Sequence, residues 1–136
     1  MVSAEELAGL RPIGIFGQSI VGPVNREQYL PSVNGLHPEL REKVARYLRS
    51  GAVVFAIMEY TNDVVGGGFS VPGGSGIASD GIYYWRQDTP NYVETYGLAI
   101  DAEAVELMEA RDWLAPPLSA AQILDIDRRL FSLSNG

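Results

Sequence analysis

Few residues in this chain could do chemistry. A Ser-His-acid triad needs a histidine base, and the sole histidine, His37, stands directly before Pro38. A following proline pushes a residue towards extended backbone, which suits His37 to a helix N-cap or an exposed turn. There is no cysteine, which rules out disulfides and thiolate nucleophiles. With a single histidine, zinc lacks its usual ligands as well. Asp63, Asp80 and Asp88 carry oxygens for a hard cation, but their spacing is not that of an EF-hand loop. The glycine stretch GGGFSVPGGSG, residues 66–76, lacks the Gly-Lys-Ser/Thr ending of a phosphate loop and reads as a flexible connection. Among 17 acids some pair always lies close together, so no spacing singles out two carboxylates for glycosidase-type work. No catalytic residue, metal or cofactor is assigned.

What stands out instead is SDGIYYWRQDTPNYVETYG, residues 79–97, with four tyrosines and a tryptophan in nineteen positions. Strand alternation in IYYWR sends Ile82 and Tyr84 to one face and Tyr83 and Trp85 to the other. One pair is expected to enter the core, and the other to lie under helices or face a partner. Asp80, Asp88 and Glu94 surround these rings with negative charge. Aromatic anchors inside an acidic rim would make a binding surface for a basic protein.

The net charge of −7 is unevenly spread: residues 50–112 hold ten acids against Arg86 and Arg111, and carry the whole negative excess. Such a field repels nucleic acid and anionic membrane and attracts a basic partner, or serves solubility alone. Arg41, Lys43, Arg46 and Arg49 form a modest basic patch, read as a solvated face that pairs with acidic helices; nucleic acid is not an expected partner. The opening MVSAEELAGL has no basic n-region, and no apolar run approaches the roughly 18 residues of a membrane helix. A soluble cytoplasmic protein is expected.

These side chains must be positioned by elements that the hydrophobic spacing defines. With 136 residues and 46% apolar content, one domain with its own core is expected. Residues 1–36 predict a loop-rich segment packed through Ile20, Val21, Tyr29 and Leu30. It includes a short strand around Ile13, Ile15 and Phe16 and a helical turn over Arg26 to Tyr29. HPELREKVARYLRSG predicts a helix with Pro38 in its first turn, Leu40, Val44, Tyr47 and Leu48 on one face, and Gly51 as its stop.

AVVFAIMEY, residues 52–60, reads as a strand buried on both faces, Thr61-Asn62-Asp63 as a turn, and Val64 to Val71 as a second strand weakened by glycine. Ile77 and Ala78 begin a third strand; Asp80-Gly81 turns, and Ile82 to Trp85 complete a hairpin. Asp88 or Thr89 caps a short helix that Pro90 enters and Gly97 ends, with Tyr92, Val93 and Tyr96 on one face. Asp101 caps AEAVELMEARDWL, with Ala104, Val105 and Met108 inward and Glu103, Glu106 and Glu109 as an exposed acidic stripe. Ser119 caps AAQILDIDRRLF, with Ile123, Ile126, Leu130 and Phe131 inward. The sum is an α+β domain: a small, mainly antiparallel sheet of three to four strands with about four helices, the last three against one face.

The segment from LRSGAVVFAIMEYTNDV to SDGIYYWRQDTPNYVETYGLAIDAEAVELM, within residues 47–110, resembles immunity proteins encoded beside polymorphic or contact-dependent bacterial toxins. The residues carrying the resemblance are Ser79, Asp80, Gly81, Tyr83, Trp85, Asp88, Tyr92, Val93 and Tyr96; Trp85-Arg86 stands where the pattern has Trp-Pro. The resemblance implies a protein without catalytic residues that binds and occludes a cognate toxin. Joined to the charge pattern, it suggests contacts from Asp80, Tyr83, Trp85, Asp88, Glu94, Glu103, Glu106 and Glu109 onto a basic toxin cleft. Two alternatives stay open. One is a structural or regulatory interaction domain, marked by self-association. The other is an enzyme using carboxylate and tyrosine chemistry, which would need a concave pocket with two converging acids.

Overall fold

The computed structural model describes residues 10–14 and 25–135, with residues 131–135 as backbone only. The expected strand positions Ile15 and Phe16, the contacts of Ile20 and Val21, the inward placement of Phe131, and parts of the 1–36 segment lie outside the described residues.

The chain makes strand β1 (Arg11–Ile13) and helix α1 (Arg26–Tyr29), then single 3-10 turns at Leu30–Ser32 and Pro38–Leu40, and helix α2 (Arg41–Arg49). Strands β2 (Ala52–Phe55), β3 (Tyr60–Asn62), β4 (Ser70–Pro72), β5 (Ile77–Ser79) and β6 (Tyr83–Arg86) follow. Helices α3 (Thr89–Tyr96), α4 (Ala102–Ala110) and α5 (Ala120–Asn135) close the chain. Four strands form a mixed sheet in the order β1-β6-β5-β2; β3 and β4 form a separate antiparallel pair. The pairings β5–β6 and β2–β5 are antiparallel and β1 joins β6 in parallel, so the expected α+β fold with a small, mainly antiparallel sheet holds.

Local signals set most helix ends. Asn25 and Gln28 form a reciprocal capping box at α1. His37 is an N-cap whose Nδ1 accepts the Glu39 N–H at 3.3 Å, and the helix begins with a 3-10 turn at Pro38 before α2. Gly51 is required by packing as well as by its terminal position: a Cβ there would stand 2.4 Å from Trp85 Cζ2. Gly97 ends α3 at φ +61, left-handed backbone that glycine adopts without a Cβ penalty. Ser119 and Gln122 cap α5 reciprocally, at 3.1 and 2.8 Å.

Four expectations need correction. Residues 52–60 are not one doubly buried strand. β2 ends at Phe55, Val53 is 50% exposed, and Met58 is fully exposed. The chain leaves the sheet after β2 to build β3 against β4, and continuous apolarity cannot reveal that exit. Second, Thr61 and Asn62 belong to β3, and the strand expected over 64–71 shrinks to β4. The turn begins at Asp63 because its carboxylate takes the N–H groups of Val65, Gly66 and Gly68. Third, α4 stops at Ala110, with Asp112 and Trp113 both at positive φ. In the N-terminal segment Tyr29 is buried as expected, while Leu30 remains 43% exposed.

The fourth correction concerns the layers. Helices cover both faces of the sheet. Tyr83, Trp85 and Ala78 pack with Val44, Tyr47 and Leu48 of α2, Tyr92 and Val93 of α3, and Ala104 and Met108 of α4. On the opposite face Val54, Ile77 and Tyr84 pack with Ile126 and Leu130 of α5 and with Leu10. Alternation along β6 therefore sends rings into two cores and leaves none for a partner.

Candidate functional site

The turn Ser79-Asp80-Gly81 is built by its own side chains. Asp80 Oδ1 accepts the N–H groups of Ile82 and Tyr83 at 2.8 and 2.6 Å. Ser79 Oγ accepts the Gly81 N–H at 3.0 Å and donates to the Tyr83 carbonyl at 2.7 Å. The Tyr47 hydroxyl donates to Asp80 Oδ2 at 2.6 Å, and Arg111 Nη1 donates to the Tyr47 oxygen at 3.0 Å while standing 3.6 Å from that carboxylate. Burial, then the hydrogen bond to the Asp80 carboxylate and its charge, raises the Tyr47 phenol well above its ordinary range. Asp80 thus joins the β5–β6 turn to α2 and to the end of α4.

Asp88 opens α3 and holds Arg86 in a two-pronged pair, Nε to Oδ1 at 3.2 Å and Nη2 to Oδ2 at 3.0 Å. Both side chains are buried, 4% and 1% exposed. Thr61 Oγ1 donates to the same carboxylate at 2.9 Å. Burial pushes the Asp88 carboxyl up, against the pull of Arg86 and Thr61.

Asp88, Tyr92 and Tyr96 lie four residues apart on one face of α3, and each meets a successive residue of the chain leaving β3. Asp88 takes Thr61. The Tyr92 hydroxyl accepts the Val64 N–H at 3.0 Å and donates to the Asn62 carbonyl at 3.3 Å. The Tyr96 hydroxyl donates to Asp63 in a short hydrogen bond. Burial opposes ionisation of Asp63, but Tyr96 and the three backbone N–H donors outweigh it and hold the carboxyl below its usual range. Burial raises the Tyr92 phenol to about 12, and its ring lies between Tyr29, stacked at 4.3 Å, and the edge-on Phe69 at 4.9 Å. The aromatic tips of the 79–97 stretch therefore bind the β3–β4 hairpin to α3.

Of the eight expected contact residues, Asp80, Tyr83, Trp85 and Asp88 lie inside the molecule, 0–4% exposed. They are withdrawn as surface contacts: the rings fill the larger core, and both carboxylates spend their acceptors on internal donors. Glu94 is exposed on α3 and pairs with Arg49 at 2.8 Å, which holds its carboxyl below the usual range. Glu103, Glu106 and Glu109 are all exposed on α4, opposite the buried Ala104 and Met108, with exposed Asp101 and Asp112 at the two ends of the helix. Arg11 pairs with Glu103 at 2.9 Å. No ion pair among the described residues involves Glu106 or Glu109. The acidic stripe is real, but the aromatic half of the expected surface is absent from it.

The basic patch on α2 is partly spent within the molecule. Arg41 donates to Asn34 at 2.8 Å, Arg49 pairs with Glu94 of α3, and Lys43 Nζ lies 5.6 Å above the Trp113 ring. The 66–68 glycine loop offers no free cradle for phosphate either, since the Gly66 and Gly68 N–H groups already face the Asp63 carboxylate.

Among the described residues no group of three or more acids or histidines could hold a metal, and no helix is long and apolar enough to cross a membrane. A hollow of about 280 Å³ lies among Ile13, Gly14, Ser32, Ile100 and Asp101. A smaller one of about 130 Å³ lies among Val53, Ala78, Trp85 and Pro90. Neither brings two carboxylates together. Sequence reasoning missed Tyr47 and Arg111 as partners of Asp80, Thr61 as the partner of Asp88, and the pairing of Asp63 with Tyr96; each pair is separated by 27 to 33 residues in sequence. Only the Asp-Gly turn pair gave a local sign of an internal role. No protein-family model, curated protein or solved structure was found to match the chain.

Proposed function

We propose that this protein is a binding protein of the immunity type, which docks on the basic active-site cleft of a bacterial toxin in the cytoplasm and excludes the toxin's substrate. The observation that carries this reading is the outer face of α4. Glu103, Glu106 and Glu109 project from one side of a helix whose other side is anchored in the core by Ala104 and Met108. The helix is held at its far end by Arg111 on Tyr47 and Asp80. Acids on a fixed scaffold meet a basic cleft without reorganising, and their field speeds encounter at low ionic strength. The resemblance of residues 47–110 to immunity proteins supports the same reading. The buried rings of β6 serve as the scaffold that sets the helix, and occlusion falls to the acidic face.

Replacing Glu106→Lys and Glu109→Lys together is expected to lower the association rate with a cognate basic toxin domain on the order of tenfold or more and to flatten its salt dependence. Stopped-flow association at several salt concentrations checks this. An unchanged rate and salt slope would remove the acidic face from the mechanism.

A further inference from the structure

Asp101 stands at the head of α4 in the N-cap position, where an aspartate ordinarily accepts an N–H of the first helical turn. Asn25, His37 and Ser119 do this at their own helices. The Asp101 side chain does not, and among the described residues no hydrogen bond or ion pair occupies it. It lies instead on the wall of the hollow of about 280 Å³, together with Pro12, Ile13, Ser32 and Ile100. These walls are fixed. The Ser32 carbonyl accepts the Ala99 N–H at 2.9 Å and the Gly35 N–H at 3.1 Å, and the Leu36 N–H donates to the Gly97 carbonyl at 3.0 Å. Pro12 and Ile13 are set by the pairing of β1 with β6. The Ser32 hydroxyl has no partner among the described residues. Arg11, the residue before Pro12, has its charge countered by Glu103 at 2.9 Å.

We propose that this hollow takes the side chain of a lysine, with its alkyl stem along Pro12, Ile13 and Ile100 and its ammonium at the Asp101 carboxylate and the Ser32 hydroxyl. Charge and shape select that occupant. An unpaired carboxylate turns away anions. A lone carboxylate is too few ligands for a hard metal ion, and no group of three ligands exists among the described residues. Apolar walls favour a cation that carries an apolar stem over a hydrated ion. An ammonium sends three donors in different directions and can serve two acceptors on separate segments, whereas the planar guanidinium fork matches a single carboxylate. The source of the lysine, a basic partner docked on the adjoining acidic face of α4, rests on the proposed function. The preference of the hollow for an ammonium does not.

Amide NMR of the full chain, titrated with Nα-acetyl-lysine N-methylamide to about 50 mM, tests the site. Saturable shifts are expected at Ile13, Gly14, Ser32 and Ile100. The norleucine analogue keeps the stem and lacks the ammonium, and should bind at least about threefold more weakly. Asp101→Asn should weaken binding of the lysine probe by at least about the same factor. Asp101 is exposed, so the substitution leaves the core intact, which the amide spectrum of the variant checks. The titration contains no toxin, so its failure leaves the association test of Glu106 and Glu109 standing, and the reverse holds as well. Four results would each overturn the proposal: shifts that never saturate or that spread along α4, equal affinity for the norleucine analogue, tighter binding of the arginine analogue, or an Asp101→Asn chain that binds lysine as the native chain does.

Discussion

Asp88 and Arg86 form the pair with the most at stake among individual residues. Two charges taken out of water lose several kcal/mol of solvation each, and their attraction offsets this only while both remain. Arg86→Met would leave a carboxylate in the interior without its cation, and is expected to cost about 3–5 kcal/mol of stability. Arg86→Met combined with Asp88→Asn removes both charges and keeps an acceptor for Thr61. It is expected to be less destabilising than the single change by at least about 1 kcal/mol. Urea unfolding of the two variants compares them; a double variant as unstable as the single one would mean that the ion pair stabilises the fold on balance. An aspartate beside tyrosines looks the same in sequence whether it rims an interface or sits under a helix. What places Asp80 and Asp88 inside is the arrival of Tyr47, Arg111 and Thr61 from distant parts of the chain, which no local spacing encodes.

Elements were legible where their signals were local. Pro38, Gly51, Pro90, Gly97 and Ser119 mark helix ends because capping depends on neighbours a few residues away. The region from β2 to β4 was not legible, because its strands are three or four residues long and its turn is set by one carboxylate. That carboxylate, Asp63, also gives the hairpin a pH dependence. Its folded pKa lies below its ordinary value, so its contribution to stability is complete above the unfolded value of about 3.9 and is lost as pH falls through the lower folded value. Tyr96→Phe removes one donor to Asp63 and should bring the folded pKa back towards the unfolded one. The variant is expected to be less stable at neutral pH by about 0.5–1.5 kcal/mol, with a shallower loss of stability below about pH 4. Amide exchange across residues 63–69 should quicken more than exchange in α2. Equal exchange in both proteins would show that Tyr96 does not hold the loop.

The whole molecule differs from the expected one chiefly in having helices on both faces of its sheet. The apolar period of α5 is plain in the sequence, but an amphipathic helix carries no mark of which face it will cover. The choice follows from β6, where Tyr84 points away from Tyr83 and Trp85 and needs its own cover, which Ile126 and Leu130 supply. This arrangement makes a graded prediction. Leu130 is 0% exposed and Leu124, on the same helix, is 50% exposed. Leu130→Ala is expected to cost about 2–5 kcal/mol, and Leu124→Ala to stay within about 0.5 kcal/mol. Val93→Ala in α3 empties space in the other core, beyond the sheet, where it shares no neighbour with Leu130. Substitutions in separate cores add, whereas side chains lining one cavity couple by about 0.5–3 kcal/mol. The double variant Val93→Ala with Leu130→Ala should therefore lose the sum of the two single losses to within about 0.5 kcal/mol. Chemical denaturation of the three variants measures this. A coupling above about 1 kcal/mol would put both helices on one core and return α5 to the face that α3 occupies.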